Sequence, residues 1–216
     1  MLATFIIETS LLIWVLLRHG LRSTRTRLAS VMLVSLALFQ LAEYNVCGRF
    51  NLDALAWSRI GFVAITLLPP LGAHLLYVLV AKKERWAVVT AYVTSAAFIY
   101  LFAFSSSAFN SHICAGNYAI FQLRNHLGGW YFVYYYYWLL FSVVQGLRIL
   151  PTLAKSRKQA VIYLLSGYLF FLIPTTVANM VKPETINGIP SVMCGFAVLY
   201  ALVLVFGILP IKLSKD

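Results

Sequence analysis

Seven apolar runs, parted by short loops, occupy almost the whole of this 216-residue chain. Runs of that length limit the fold to the two architectures whose backbones can pair all their polar groups in lipid, helices and closed barrels. The runs are continuously apolar, without the period-two alternation of a barrel strand, so helices are expected. Hydrophobic residues make up 62% of the chain and charged residues 11%, against roughly one quarter charged in a water-soluble domain. The predicted spans are Leu2–Leu17, Leu28–Val46, Trp57–Ala81, Trp86–Phe109, Gly129–Leu147, Ala160–Val181 and Ile189–Ile211. The first is short and is expected to continue through Arg18, whose charged end can snorkel to the headgroups. The expected fold is thus an all-α polytopic seven-transmembrane helix bundle, with residues 1–216 forming one domain.

The cations orient it. Arg18, Arg22, Arg25 and Arg27 follow the first run, and Lys82, Lys83 and Arg85 the third. Arg148, Lys155, Arg157 and Lys158 follow the fifth, and Lys212 and Lys215 the seventh. Thirteen of the 17 basic residues therefore fall on one side, with only Arg49, Arg59, Arg124 and Lys182 on the other. This asymmetry predicts an outside amino terminus and a cytoplasmic carboxyl terminus. On the outer side Glu8, Glu43, Asp53 and Glu184 cancel the four cations, while Glu84 and Asp216 offset two inside. The net charge of +11 is then a topology signal and an attraction to anionic lipid, not a nucleic-acid footprint. The first run has its arginines behind it and Glu8 within it, opposite in polarity to a cleaved signal, and reads as a spanning helix.

Cys47 and Cys114 both fall in outer loops, where an oxidising compartment permits a bridge or leaves two free thiols. Cys194 reads as a small packing residue. The Asn110–Gly128 loop, with His112, Arg124, Asn125 and His126, is the expected outer lid. Trp57, Trp86 and Trp130 stand at span boundaries, as interfacial aromatics do. Pro69 and Pro70 in the third run and Pro174 in the sixth are candidate hinges, since each frees a backbone carbonyl.

Ionisable residues inside spans carry the functional hypotheses. Glu8 lies about 9 Å below the outer end of the first helix at 1.5 Å per residue; Glu43 and Arg59 lie near the outer ends of the second and third. The three either neutralise one another structurally or receive a cationic or hydrogen-bonding ligand. Gln40, Glu43 and Cys47 share a helical face, and Arg59, Thr66, Pro70 and Tyr77 form a stripe with His74 beside it. Trp138, with Tyr134–Tyr137, and Asn179, with Thr175 and Thr176, supply helix–helix hydrogen bonds or the walls of an outward pocket. The ligand-binding candidates are therefore Glu8, Gln40, Glu43, Arg59, Trp138 and Asn179. No metal-ligand spacing, nucleophile elbow or phosphate loop is present, so neither catalysis nor a cofactor is expected. Every lysine lies in a loop, at a boundary or in the tail, which disfavours a retinal Schiff base.

Two stretches carry a family likeness. Arg27 to Phe39 is followed by Glu43, then by Ala56-Trp57-Ser58-Arg59-Ile60-Gly61-Phe62 and Leu67-Leu68-Pro69-Pro70-Leu71-Gly72-Ala73-His74. The end, from Ile189-Pro190-Ser191 through Tyr200-Ala201 to Leu209-Pro210, matches in the same way. This pattern resembles the amino-terminal seven-transmembrane sensor region of bacterial histidine kinases and diguanylate cyclases. The resemblance implies an inner-membrane sensor that binds a small-molecule or lipid ligand from the outer side and relays a conformational change to a cytoplasmic signalling protein. The output domain usual in that group does not follow within these residues. The chain is then a shortened sensor, one that works through a separate partner, or a repurposed bundle. The rival expectations are a small transporter, which ordinarily shows midplane polar groups and an internal repeat, and a catalytic or non-catalytic subunit of a membrane complex.

Overall fold

A computed structural model describes residues 1–47, 53–82, 85–105, 108–115, 118–124, 126–182 and 188–213. Arg49, Lys83, Glu84, Glu184, Lys215 and Asp216, which entered the charge reading above, and Asn125 of the expected lid loop lie outside the described residues. The elements run α1 (Leu2–His19), α2 (Thr24–Val46), α3 (Ala54–Thr66), α4 (Leu68–Val80), α5 (Arg85–Phe104), β1 (Phe109–Ala115), β2 (Tyr118–Leu123), α6 (Leu127–Ile149), α7 (Lys155–Val181) and α8 (Ile189–Leu202). A π-helical segment, Val203–Ile208, continues α8.

Among the described residues, six helical stretches are long and apolar enough to cross a membrane: α1, α2, α3 with α4, α5, α7, and α8 with its π segment. The 23-residue α6 is of similar length, but Tyr131 and Tyr134–Tyr137 lower its hydropathy. The architecture is that of a multi-pass helical membrane bundle, with apolar helices compatible with a bilayer. Outward-facing apolar residues such as Leu17, Val93, Met180 and Val181 are exposed, as expected where lipid is the solvent.

Helix bounds depart from the sequence reading for identifiable reasons. α2 starts four residues before the predicted Leu28 because Ser23 and Thr26 form a reciprocal cap. The Ser23 hydroxyl accepts the Thr26 N–H at 3.0 Å, and the Thr26 hydroxyl accepts the Ser23 N–H at 3.3 Å. Arg25 and Arg27, read as loop residues, are therefore helical. α7 likewise starts at Lys155 rather than Ala160, which brings Arg157 into the helix. The third run is two helices that meet at Leu67, ahead of Pro69 and Pro70. α5 ends at Phe104, and the predicted lid loop contains an antiparallel hairpin in which Cys114 pairs with Ala119 and Ile113 with Ile120. The bundle itself is all-helical, and the hairpin is an addition in the loop between α5 and α6.

The early-starting helices put guanidinium groups against helix ends. Arg25 donates to Ile211 O at 2.7 Å and Ile208 O at 3.4 Å, Arg157 to Leu79 O at 3.1 Å, and Arg27 to Leu21 O at 2.9 Å. Leu79 lies in the last turn of α4, whose final carbonyls have no intrahelical donor and carry the negative dipole end, so a cation there satisfies both needs; Leu21 and Ile211 lie just past the ends of α1 and of the segment that continues α8. These contacts bring the carboxyl ends of α1, α4 and α8 to the same end of the bundle as the amino ends of α2 and α7.

Within the bundle, close helix approach depends on small residues. A Cβ at Gly167 on α7 would meet the Tyr200 ring of α8 at 2.5 Å, and one at Gly72 on α4 would collide with the Tyr168 hydroxyl. Tyr168 and Tyr200 stack at 5.6 Å between centroids. Gly167→Ala should therefore destabilise the bundle by about 1–3 kcal/mol, the usual range for overpacking. Gly195→Ala, whose Cβ would meet nothing within 4 Å, should leave the unfolding temperature in detergent unchanged or higher.

Candidate functional site

The break between α3 and α4 organises the middle of the bundle. Pro70 has no N–H, so the Thr66 carbonyl loses its helical donor. Two hydroxyls replace it: Tyr134 of α6 donates at 2.8 Å and Ser95 of α5 at 3.1 Å. The Thr66 hydroxyl itself bonds to Phe62 O and reaches the Tyr131 hydroxyl at 3.2 Å. Three helices are thereby tied at one carbonyl, which explains why buried serine and tyrosine sit in an otherwise apolar core. The candidate hinge residues Pro69 and Pro70 open α4 at this junction. Pro174 lies within α7, which continues through it.

The other sequence candidates divide between several places. Glu8 and Glu43 come together: they interact electrostatically, and their exposures are 0% and 1%. Both carboxylate oxygens of Glu8 and Oε1 of Glu43 lack a hydrogen-bond partner, as does Nε2 of the buried Gln40 one turn along α2. Arg59 does not join them. Its Nη2 donates to Ser105 O at the end of α5, 3.4 Å away, because α3 packs against α2 and α5 whereas α1 packs against α2 and α8. The expected carboxylate–arginine cluster is therefore an acid pair with the arginine on the other side of α2. Trp138 is buried and donates from Nε1 to the Thr94 hydroxyl at 2.9 Å, a tie between α6 and α5. His74 meets the Tyr92 hydroxyl at 3.2 Å as another interhelical contact. Asn179 is half-buried near the end of α7.

A cavity of about 730 Å³ opens on another set of residues. The hairpin lines it with Ile113, Ile120 and Gln122, α6 with Tyr135 and Tyr136, and the start of α8 with Pro190, Met193 and Cys194. None of the six ligand-binding candidates lines it. A void of about 40 Å³ lies deeper, and Tyr135, Met193 and Cys194 border both spaces. The larger volume falls in the range of small-molecule sites, and its apolar, aromatic walls with a few polar groups match their usual character.

The hairpin that walls this cavity is held at three points. Cys114 is disulfide-bonded to Cys47 at the end of α2. The Ser191 hydroxyl of α8 donates to Ala119 O, directly across the hairpin from Cys114. Phe121 enters the core, with its ring 5.3 Å from Phe62 and 6.0 Å from Phe39. The sequence signal for this element was the short stretch Tyr118–Leu123, in which the buried Ala119 and Phe121 alternate with the more exposed Ile120 and Gln122. The glycine pair Gly128–Gly129 then opens α6 beside the cavity.

Among the described residues no group of three or more histidine, cysteine or acidic side chains could hold a metal ion. No protein-family model, curated protein or solved structure matches the chain.

The carbonyl clamp makes a quantitative prediction. Tyr134→Phe removes one of two donors and should cost about 1 kcal/mol, whereas Tyr134→Phe with Ser95→Ala strands a buried carbonyl and should cost about 2–3 kcal/mol. Chemical unfolding in detergent would show this more-than-additive loss.

Proposed function

We propose that this chain is a seven-span membrane receptor or sensor, with its amino terminus outside and its carboxyl terminus in the cytoplasm of a bacterial inner membrane. The ligand is a small apolar or lipidic molecule held between the hairpin, α6 and the start of α8. The observation that carries this reading is the cavity of about 730 Å³ with Tyr135 and Tyr136 on one wall and, on another, a hairpin anchored by a disulfide, a hydrogen bond and the packed Phe121 ring. The basic residues concentrated at one end of the bundle support the orientation, and α6 supplies the seventh span. The likeness to bacterial sensor regions supports the same role.

Relay follows from what the ligand touches. A molecule in the cavity contacts three elements at once, so it favours whichever arrangement of them fits it better. A tenfold difference in affinity between two arrangements, about 1.4 kcal/mol, shifts their ratio tenfold. α8 leads from the cavity past the Tyr168–Tyr200 stack to the carbonyls of Ile208 and Ile211, where Arg25 holds it to α2. Movement of α8 would thus alter the basic surface offered to a cytoplasmic partner.

Native mass spectrometry of the protein released from lipid nanodiscs tests the binding claim. The wild type should carry a stoichiometric small-molecule or lipid adduct. Tyr136→Ala, which removes an aromatic wall, should retain it about tenfold less, a loss of about 1.4 kcal/mol. Equal retention by both proteins, or no adduct on either after supplementation with a membrane-lipid extract, would contradict the proposal.

A further inference from the structure

The cavity and the smaller void lie end to end along the same two helices, with Tyr135, Met193 and Cys194 between them. α6 borders the pair from Gly128 to Leu139, and α8 from Ile189 to Tyr200. Each stretch covers about 16 Å at 1.5 Å per residue. The combined space is therefore long, and it narrows inward.

Its two ends differ in chemistry. At the hairpin end stand the exposed amides of Asn110 and Gln122. Gln122 Oε1 accepts the Ser111 hydroxyl at 2.5 Å, so the NH2 group remains to donate. None of the described side chains lining the cavity is charged. A carboxylate or phosphate held there would lose its hydration without gaining a counter-ion, which is costly. An uncharged head group with hydroxyl or carbonyl oxygens meets no such cost. At the inner end Met32, Leu36, Pro69 and Ala197 offer no hydrogen bond, and the Tyr200 hydroxyl is taken by Met32 Sδ at 3.8 Å. The void of about 40 Å³ has room for about three water-sized groups, the scale of the last carbons of an alkyl chain.

The throat between the two spaces carries a spare polar group. Of the tyrosines lining the cavity, Tyr131 accepts the Thr66 hydroxyl at 3.2 Å and Tyr136 donates to Met193 Sδ at 3.5 Å. The Tyr135 hydroxyl has no hydrogen-bond partner among the described residues. Met193 is unbranched and adaptable, and its sulfur is held by that one weak contact. An alkyl chain can pass where the thioether stands.

We infer that the occupant is an uncharged single-chain amphiphile. Its head lies under the hairpin amides, an oxygen near the head accepts from Tyr135, and its chain end passes Met193 into the void beside Pro69. A tail gains no hydrophobic energy by leaving lipid for an equally apolar site. Selection therefore acts through fit, and a chain too long for the void overpacks it. The void becomes a gauge of chain length. A chain of full length also touches the opening of α4, next to the Thr66 carbonyl that ties α5 and α6 to α3. This deepens the receptor reading and rests on the cavity being its ligand site.

Native mass spectrometry from nanodiscs tests it with saturated 1-acylglycerols of stepwise chain length, each set against the fatty acid of the same length, ionised. The wild type should retain the acylglycerol about tenfold more than the acid. Retention should fall about tenfold beyond a limiting length. Leu36→Ala, which enlarges the void, should move that limit to longer chains, and Ala197→Leu, which fills it, to shorter ones. Neither residue lines the main cavity. Tyr135→Phe should retain the acylglycerol about fivefold less, at an unchanged unfolding temperature. The head-group comparison needs no variant, so it decides the matter even if a void variant does not fold. Equal retention of acid and acylglycerol, the absence of a limiting length, or a limit shared by wild type and both void variants would overturn the inference. The receptor reading would survive that result if Tyr136→Ala still lost the adduct. No adduct from any of these probes or from the lipid extract would instead contradict the receptor reading, and this inference with it.

Discussion

Lipid offers no hydrogen bonds, so each polar group in this bundle must find its partner inside the protein. Much of the structure follows from that demand. Pro70 strands the Thr66 carbonyl, and Tyr134 and Ser95 reach it from two other helices. The Leu79 carbonyl in the last turn of α4 is left without a helical donor and Arg157 covers it, while Arg25 takes the carbonyls of Ile208 and Ile211 where the chain leaves the last helix. Polar residues that look out of place in an apolar sequence thereby become the contacts that fix which helices are neighbours.

Glu8 and Glu43, with Gln40 beside them, are among the buried groups whose demand is not met by fixed partners. Three of the four carboxylate oxygens have none, and such groups persist inside a membrane protein chiefly where they have work to do. The hairpin is joined covalently to α2 and by one hydrogen bond to α8, so its attachment to α8 is the weaker of the two.

The bundle was legible in the sequence because lipid-facing helices need only length and apolarity. The meeting of Glu8 and Glu43 was legible in part, since depth along each helix follows from residue count. Helix rotation does not follow from it, and that is why Arg59 turned out to serve α5 instead of the acids. The cavity was not legible. Its walls are Ile113, Ile120, Tyr135, Tyr136 and Met193, residues that look like any other apolar surface until the hairpin folds over them. The hairpin itself was hidden in a segment judged by its polar residues, although Ala119 and Phe121 carry the alternation of a half-buried strand.

The proposed place of the hairpin at the outer face of a membrane-embedded bundle is tested most directly by labelling Cys114 and its partner Cys47 from outside. Intact cells would be treated with a membrane-impermeant phosphine reductant and then an impermeant maleimide of large mass. The account predicts two labels, on Cys47 and Cys114, with the buried Cys194 unmodified. Labelling of those two cysteines only after the membrane is permeabilised would place the hairpin on the inner face and contradict it.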